Sequence, residues 1–183
     1  VQWLRDRMKF FKKAPETEKI VKSLDNNNDI YLVPAFTGLG APYWDANARG
    51  VLSGITRDTS PKEIVRATIE AVAYQTFDLF EAMKHDGLRP KIVKVDGGMV
   101  MNNWFSQFLS DIVNVKVLRP KVQETTALGA AFMAGLQIGV YKSLKDISKN
   151  WHLDKKFSPK MKNKSRSTLI KGWEKAVKRA LIN

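Results

Sequence analysis

The sequence has 183 residues, a formal net charge of +13, 44% hydrophobic residues and 27% charged residues, which is typical of a globular domain able to bury a core. It contains no cysteine, so disulfides, cysteine–zinc sites and thiol catalysis are excluded. No window is apolar enough to span a membrane, and the first residues do not resemble a signal peptide.

The first half of the chain predicts three helices and two short strands. Apolar spacing predicts helices over residues 2–12 and 15–24 and strands over 30–33 and 50–55. The first helix has no capping residue before it and no initiator Met, so we expect the chain to be the downstream piece of something longer. A helix start at Ser60-Pro61 with Glu63 predicts a long helix to about His85. Its inward stripe is expected to be Val65, Ile69, Val72, Thr76, Leu79 and Met83.

The most informative stretch is the run KIVKVDGG at residues 91–98. Its β-branched part predicts a buried strand that ends at Asp96, and an amphipathic helix is predicted over 100–113. A glycine pair between a strand and a helix lets a ligand approach the backbone, and a helix start offers unpaired N–H groups. We interpret Gly97-Gly98 as a phosphate cradle, with a plain strand-to-helix turn as the alternative.

Two asparagines in the first turn of this helix, Asn102 and Asn103, allow two interpretations. Asparagine at such a position is often only a helix cap. A side chain one turn beyond a phosphate cradle could equally reach a base or a ribose.

The second half predicts a strand over 115–118, a helix capped by Thr125-Thr126, a short helix over 143–150 and a final amphipathic helix. The alanines and glycines after residue 126 predict close packing on a sheet or on another helix. The final helix is expected to bury Leu169, Trp173, Val177, Ala180 and Leu181. Alternating strands and helices predict an α/β fold with a mixed sheet, in which ligands bind beyond the carboxyl ends of strands.

The positive charge is concentrated at the end of the chain. Residues 141–183 contain thirteen Lys and Arg against three acidic residues. Such a segment is compatible with nucleic acid, an anionic membrane surface or an acidic partner. No aromatic or glycine-rich RNA motif accompanies it, so we favour a solvated surface that binds no nucleic acid specifically.

Several motifs together resemble one family. The run VPAFTGLGAPYWD at residues 33–45 is similar to the loop of the glycerol kinase branch of the FGGY carbohydrate kinases. The run GVLSGI at 50–55 with EI at 63–64 and ATIE at 67–70 is similar to the family's second signature. The runs VDGG at 95–98, NN at 102–103 and ETTALGAA at 124–131 are also similar. Only the basic segment near 155–170 departs in composition.

The resemblance implies an actin-like, ribonuclease-H-like ATPase domain with a mixed sheet flanked by helices. Residues 1–183 would be one C-terminal, ATP-binding domain, and the N-terminal domain would be absent from this chain. ATP would lie largely on this domain and glycerol largely on the other. We expect Mg²⁺ as cofactor, with its ligands in the N-terminal half, a homo-oligomer and a cytoplasmic location.

The resemblance also implies which residues contact the nucleotide. Gln2 and Asn102 would contact its adenosine end, and the backbone of Gly98 would face the phosphates. Gly97 and Asn103 are further candidates. No catalytic residue and no metal ligand is expected in this chain, because the family's general base and phosphate loop match no position here.

Asp96 and Glu70 are not interpreted as an acid–base pair, because their spacing gives no reason for it. Asp96 is interpreted as a turn residue and Glu70 as a cleft-lining or structural carboxylate. Two other functions stay open: a different FGGY sugar or polyol kinase, and a non-catalytic actin-like nucleotide-binding module.

Overall fold

The computed structural model describes residues 1–182, in which helices and short strands alternate. The helices are α1 (Gln2–Asp6), α2 (Glu16–Lys22), α3 (Pro61–His85), α4 (Asn103–Val113), α5 (Thr125–Gln137), α6 (Leu144–Ser148) and α7 (Asn163–Ala180). The strands are β1 (Tyr31–Val33), β2 (Val51–Ser53), β3 (Ile92–Lys94), β4 (Lys116–Pro120) and β5 (Leu153–Phe157). None of these helices has the length and apolarity needed to cross a membrane.

The strands form two sheets. β1 and β2 pair antiparallel, while β4 lies between a parallel β3 and an antiparallel β5. The predicted mixed sheet is therefore confirmed. Because β3 and β4 are parallel, their carboxyl ends lie at one edge, and the segment 95–98 follows β3 at that edge. β5 was not predicted, because its exposed lysines mask the short pattern that ends at the buried Phe157.

The core is built around α3. Its predicted start is confirmed: the Ser60 hydroxyl accepts a hydrogen bond from the amide of Lys62, and the Glu63 carboxylate accepts one from the amide of Ser60. Farther along, Tyr74 stacks on Trp173 of α7 with ring centroids 5.3 Å apart, and Phe108 of α4 meets Tyr74 edge-on. These aromatic contacts join α3, α4 and α7 into one buried cluster.

The predicted inward stripe of α3 is only half correct. Val65 and Ile69 are buried, whereas Leu79 and Met83 are each 38% exposed. Tyr74, Phe77 and Phe80 take their place in the core. The reason is that β1, α4 and α7 all pack against this helix, so its buried surface is wider than one stripe.

Other local predictions are also wrong. The strand β3 is not buried as expected, since Ile92 is 51% exposed. The helix predicted over 2–12 ends at Asp6, and Lys9 adopts a left-handed backbone conformation with φ 58°. Thr125 and Thr126 do not cap α5, which starts after Glu124 without a side-chain cap. Of the residues in α5, only Gly135 is buried, so its expected close packing is not found among residues 1–182.

The basic end of the chain is held down by some of its apolar residues, whereas Leu144 and Leu153 are 65% and 44% exposed. Phe157 of β5 is buried, and α7 buries Trp173, Val177 and Ala180. Its lysines, among them Lys171, Lys175 and Lys178, are exposed.

A buried carboxylate links α3 to α7. Asp78 accepts a hydrogen bond of 2.8 Å from Trp173 Nε1, and only 7% of the residue is exposed. Burial raises the pKa of Asp78 from 3.8 to about 6, although the hydrogen bonds from Trp173 and Tyr43 act in the opposite direction and the nearby Glu174 and Glu81 add to the increase. The carboxyl is therefore ionised at neutral pH at a cost in stability.

This cost makes a prediction for the variant Asp78→Asn. Because the pKa in the folded protein exceeds the ordinary value of 3.8, the folded state binds the extra proton, and this group's contribution to the free energy of unfolding falls as pH rises from about 4 to 6. The decrease is at most about 3 kcal/mol. Urea unfolding of both proteins at several pH values between 4 and 7 should show a smaller loss in Asp78→Asn. If the free energy of unfolding fell equally with pH in both proteins, the raised pKa of Asp78 would be contradicted.

Candidate functional site

The segment after β3 is a tight glycine turn. Gly97 has φ 82° and ψ 172°, a conformation that is essentially restricted to glycine, and a 3₁₀ turn follows over Gly98–Met101. A Cβ atom added to Gly97 or to Gly98 would meet no atom within 4 Å. The turn therefore presents bare backbone to open space, as a site for close backbone approach requires.

The segments that follow the two parallel strands are in contact. The amide of Gly97 donates to the carbonyl of Gln123, beyond β4, over 3.4 Å. The hydroxyl of Thr125 donates to the Asp96 carboxylate. Asp96 thus has a structural role within the turn, as predicted, and the glycine turn lies at the edge where ligands bind in α/β sheets.

The start of α4 differs from the predicted cradle. The 3₁₀ turn separates Gly98 from the helix, which begins at Asn103 and not at residue 100. The side chain of Asn102 accepts a hydrogen bond of 2.9 Å from the amide of Phe105, and Glu18 accepts one of 3.3 Å from the amide of Asn103. The chain's own groups therefore cap α4, and the open backbone belongs to the glycine turn.

The charge on Glu18 supports this cap. Partial burial is the largest single effect and raises the pKa of the Glu18 carboxyl, but the hydrogen bond and charge of Lys22 and the hydrogen bonds of Asn103 together outweigh it, so the pKa lies below its ordinary value. Glu18 is consequently anionic at neutral pH, the form that an amide at a helix start prefers.

The two asparagines keep different amounts of free hydrogen-bonding capacity. Asn102 uses its oxygen as the cap, and its Nδ2 makes a long 3.4 Å contact with Thr17. The amide oxygen of Asn103 accepts from Lys155 Nζ over 3.1 Å. The oxygen of each asparagine is therefore engaged by the chain itself, and a ligand would be reached through the amide N–H groups, one of which Asn102 already directs to Thr17.

An arginine that sequence reasoning missed holds the other side of the turn. Arg119 of β4 is only 6% exposed, and its Nη1 donates to the carbonyls of Val100 over 2.8 Å and Met101 over 3.4 Å. Its Nε donates to Asp154 over 2.7 Å. A strand-end arginine that is followed by proline carries no distinctive motif, so spacing alone could not reveal this contact.

Gln2 lies on a different element from the glycine turn. It is the exposed first residue of α1, whose buried contacts come from Leu4 against Phe11 and Val65. Among the described residues, no hydrogen bond joins Gln2 to the turn or to Asn102, so its role at a nucleotide stays a prediction.

Glu70 is a structural carboxylate. It lies in the core, where it accepts hydrogen bonds from Arg66 Nε over 2.7 Å and from the Tyr74 hydroxyl over 3.1 Å. Burial raises the pKa of the Glu70 carboxyl against the opposing effect of Arg66. Its partners differ from those of Asp96, so the structure does not pair the two as acid and base.

The part of the chain that the structure describes contains no group of three or more His, Asp or Glu residues arranged to hold a metal ion. The site is thus an open backbone turn bordered by the amide side chains of Asn102 and Asn103, by the cationic Arg119 and by the carboxylates of Asp96 and Asp154.

Comparisons with known proteins place this chain in a family. The model of the FGGY family of carbohydrate kinases, C-terminal domain, matches residues 1–138. The chain is 55% identical over 179 residues to glycerol kinase 1 of Pseudomonas aeruginosa and 51% identical over 182 residues to a glycerol kinase of Clostridium botulinum. These matches cover 98% and 99% of the chain but only 36% of each relative.

Comparison with solved structures gives the same family. A crystal structure of Plasmodium falciparum glycerol kinase with ADP superposes on the whole chain with a TM-score of 0.87 and 37% identity, and the match covers 37% of that protein. A ligand-bound xylulose kinase of Lactobacillus acidophilus matches 97% of the chain, and 36% of its own length, with a TM-score of 0.78 and 25% identity. The fold is therefore the actin-like fold of these sugar kinases, and the chain belongs to the FGGY family of carbohydrate kinases.

Proposed function

We propose that the chain is the nucleotide-binding C-terminal domain of an ATP-dependent glycerol kinase, which transfers the γ-phosphoryl group of ATP to glycerol and yields glycerol 3-phosphate. In this proposal residues 1–183 form a single domain. The chain spans about a third of the length of its curated relatives, so the complete reaction requires parts of the protein outside this chain.

The observation that carries the proposal is the open glycine turn. Phosphoryl transfer depends on positioning and on electrostatic stabilisation of the phosphates. A backbone segment without side chains, held from behind by Arg119 and open in front, offers such a position. The resemblance of the whole chain to an ADP-bound glycerol kinase supports the same assignment.

Each site residue then has a proposed task. The backbone of Gly98 faces the phosphates, and Asn102 and Gln2 contact the adenosine end of the nucleotide. Gly97 contributes through its backbone conformation, which sets the direction of the turn. Asn103 contributes by anchoring the start of α4 to Glu18 and Lys155.

The remaining tasks belong outside the chain. We assign the general base, the glycerol site and the ligands of Mg²⁺ to an N-terminal domain, because the general base and phosphate loop of the family match no position of this chain. Two uncovered surfaces support such a neighbour. β3 has a free edge on which Ile92 is 51% exposed, and α5 leaves Met133 51% exposed. The homo-oligomeric state and the cytoplasmic location stay predictions.

Glycerol is favoured over other polyols and sugars as the acceptor. Identity is 55% and 51% to the two bacterial glycerol kinases and 37% to the glycerol kinase of Plasmodium falciparum, whereas identity to the xylulose kinase of Lactobacillus acidophilus is 25%. The alternative of a non-catalytic nucleotide-binding module predicts ADP binding by the chain but no contribution to turnover.

The variant Gly98→Val tests the position of the phosphates. A side chain at Gly98 meets open space in the protein itself, so we expect little change in the free energy of unfolding. If the phosphates lie against this backbone, the added side chain should weaken ADP binding roughly tenfold, about 1.4 kcal/mol. Calorimetric titration with ADP and urea unfolding of the same samples measure the two quantities.

Gly97→Ala is the matched control. Its Cβ also meets open space, but the backbone at φ 82° strains any other residue, at a cost of about 1–3 kcal/mol of stability. Gly97→Ala should therefore lose stability together with ADP affinity, whereas Gly98→Val should lose ADP affinity alone. Unchanged ADP affinity in Gly98→Val would instead favour the alternative that the glycine pair is only a strand-to-helix turn without a ligand.

A chimera tests the catalytic role. We expect the isolated chain to show no glycerol-dependent ADP release above background. Replacing the matching 179 residues of the Pseudomonas aeruginosa relative with this chain should give an active glycerol kinase, because in this proposal the chain supplies the complete nucleotide-binding domain. The relative truncated before those residues is the control. A folded chimera that binds ADP yet fails to turn over would favour the non-catalytic module.

A further inference from the structure

Strand β5 lies beyond residue 138, where the match to the family model ends, yet two of its side chains reach the proposed nucleotide site. Asp154 accepts the Nε–H of Arg119, and Lys155 donates to the amide oxygen of Asn103. Both contacts join segments more than thirty residues apart in sequence. β5 is therefore linked to both parts of the site. It contacts the start of α4 directly, and it is connected to the glycine turn through Arg119.

Arg119 is built to hold the turn rather than to bind a ligand. Its guanidinium is buried, and its hydrogen bonds go to Asp154 and to the carbonyls of Val100 and Met101. The Val100 carbonyl accepts a second hydrogen bond of 2.9 Å from the hydroxyl of the buried Ser106. The carbonyl side of the turn is thus fixed by two side chains, while its glycine side is open.

We propose that Arg119, oriented by Asp154, is a positioning residue that sets the backbone of the glycine turn for nucleotide binding. The inference rests on the proposed function. The flat guanidinium spans an acceptor on β5 and two carbonyls of the turn at once, which a lysine ammonium on a single flexible stem does not reproduce. Arg119 touches no phosphate in this assignment, and it acts only through the geometry of residues 98–101.

Asp154 is the sharper residue to change, because its side chain is 40% exposed and its replacement leaves the core intact. Asp154→Asn removes the charge that orients Arg119, and Asp154→Glu restores a carboxylate. Asp146→Asn is the matched control. Asp146 is also a partly exposed carboxylate paired with a cation, Lys149, but it lies on α6 and forms no hydrogen bond or ion pair with Arg119 among the described residues. Arg119→Lys tests directly whether the flat guanidinium group, with its several N–H donors, is required.

The first measurement needs no nucleotide. Amide hydrogen exchange at Val100 and Asn102, which donate within the turn, should become at least threefold faster in Asp154→Asn and Arg119→Lys and stay unchanged in Asp154→Glu and Asp146→Asn. Unchanged exchange in the first two variants would overturn the inference, whatever the chain binds.

The second measurement is the Kd for ADP of the 183-residue chain. We expect it to rise about threefold to tenfold in Asp154→Asn and Arg119→Lys and to recover in Asp154→Glu. In the chimera, the KM for ATP should rise in the same variants while the KM for glycerol stays constant. Faster exchange with unchanged ADP affinity would overturn the positioning role. Absence of ADP binding by the unaltered chain and chimera would instead refute the proposed function.

Discussion

The structure depends on how α3 pairs its buried polar side chains. Arg66, Glu70, Tyr74 and Asp78 follow one another at intervals of four residues, so they form a polar row along a helix that is buried in the core. Unpaired polar groups in a core cost several kcal/mol, and each of these four has a partner. Arg66 donates to the Leu24 carbonyl as well as to Glu70, and Asp78 accepts from Trp173. Through these bonds α3 fixes the segment after α2 and the position of α7, and α4, whose start borders the glycine turn, packs on the same helix.

This row also explains how far sequence reasoning reached. The ends of α3 and the apolar face of α4 were predictable, because capping and helical spacing are local properties of the chain. The buried face of α3 was not, since a row of charged residues normally indicates the solvent side, and here pairing with distant groups reverses that expectation. β5 was missed for a related reason. Its single buried residue, Phe157, gives too short a pattern for a strand, and only pairing with β4 makes it one.

The candidate site combines local and distant information in the same way. The glycine pair and its place after a strand were visible in the sequence, as were the two asparagines. The structure adds what surrounds them: Glu18 and Asn102 cap α4, so the open backbone lies one turn earlier than the helix start suggested. Arg119 and Ser106 hold the turn from behind. These partners come from α2, α4 and β4, and no short motif encodes a contact among elements so far apart in the chain.

The three-stranded sheet has two edges of opposite character. Along β5 the sequence Asp154-Lys155-Lys156 lines the outer edge with charges, and a strand that docked there would have to strip them of water. Along β3 the edge carries Ile92 and Val93 with Lys94 as its single charged residue, so fewer charges would lose water there. We therefore expect an additional strand to pair at the β3 edge rather than at the β5 edge.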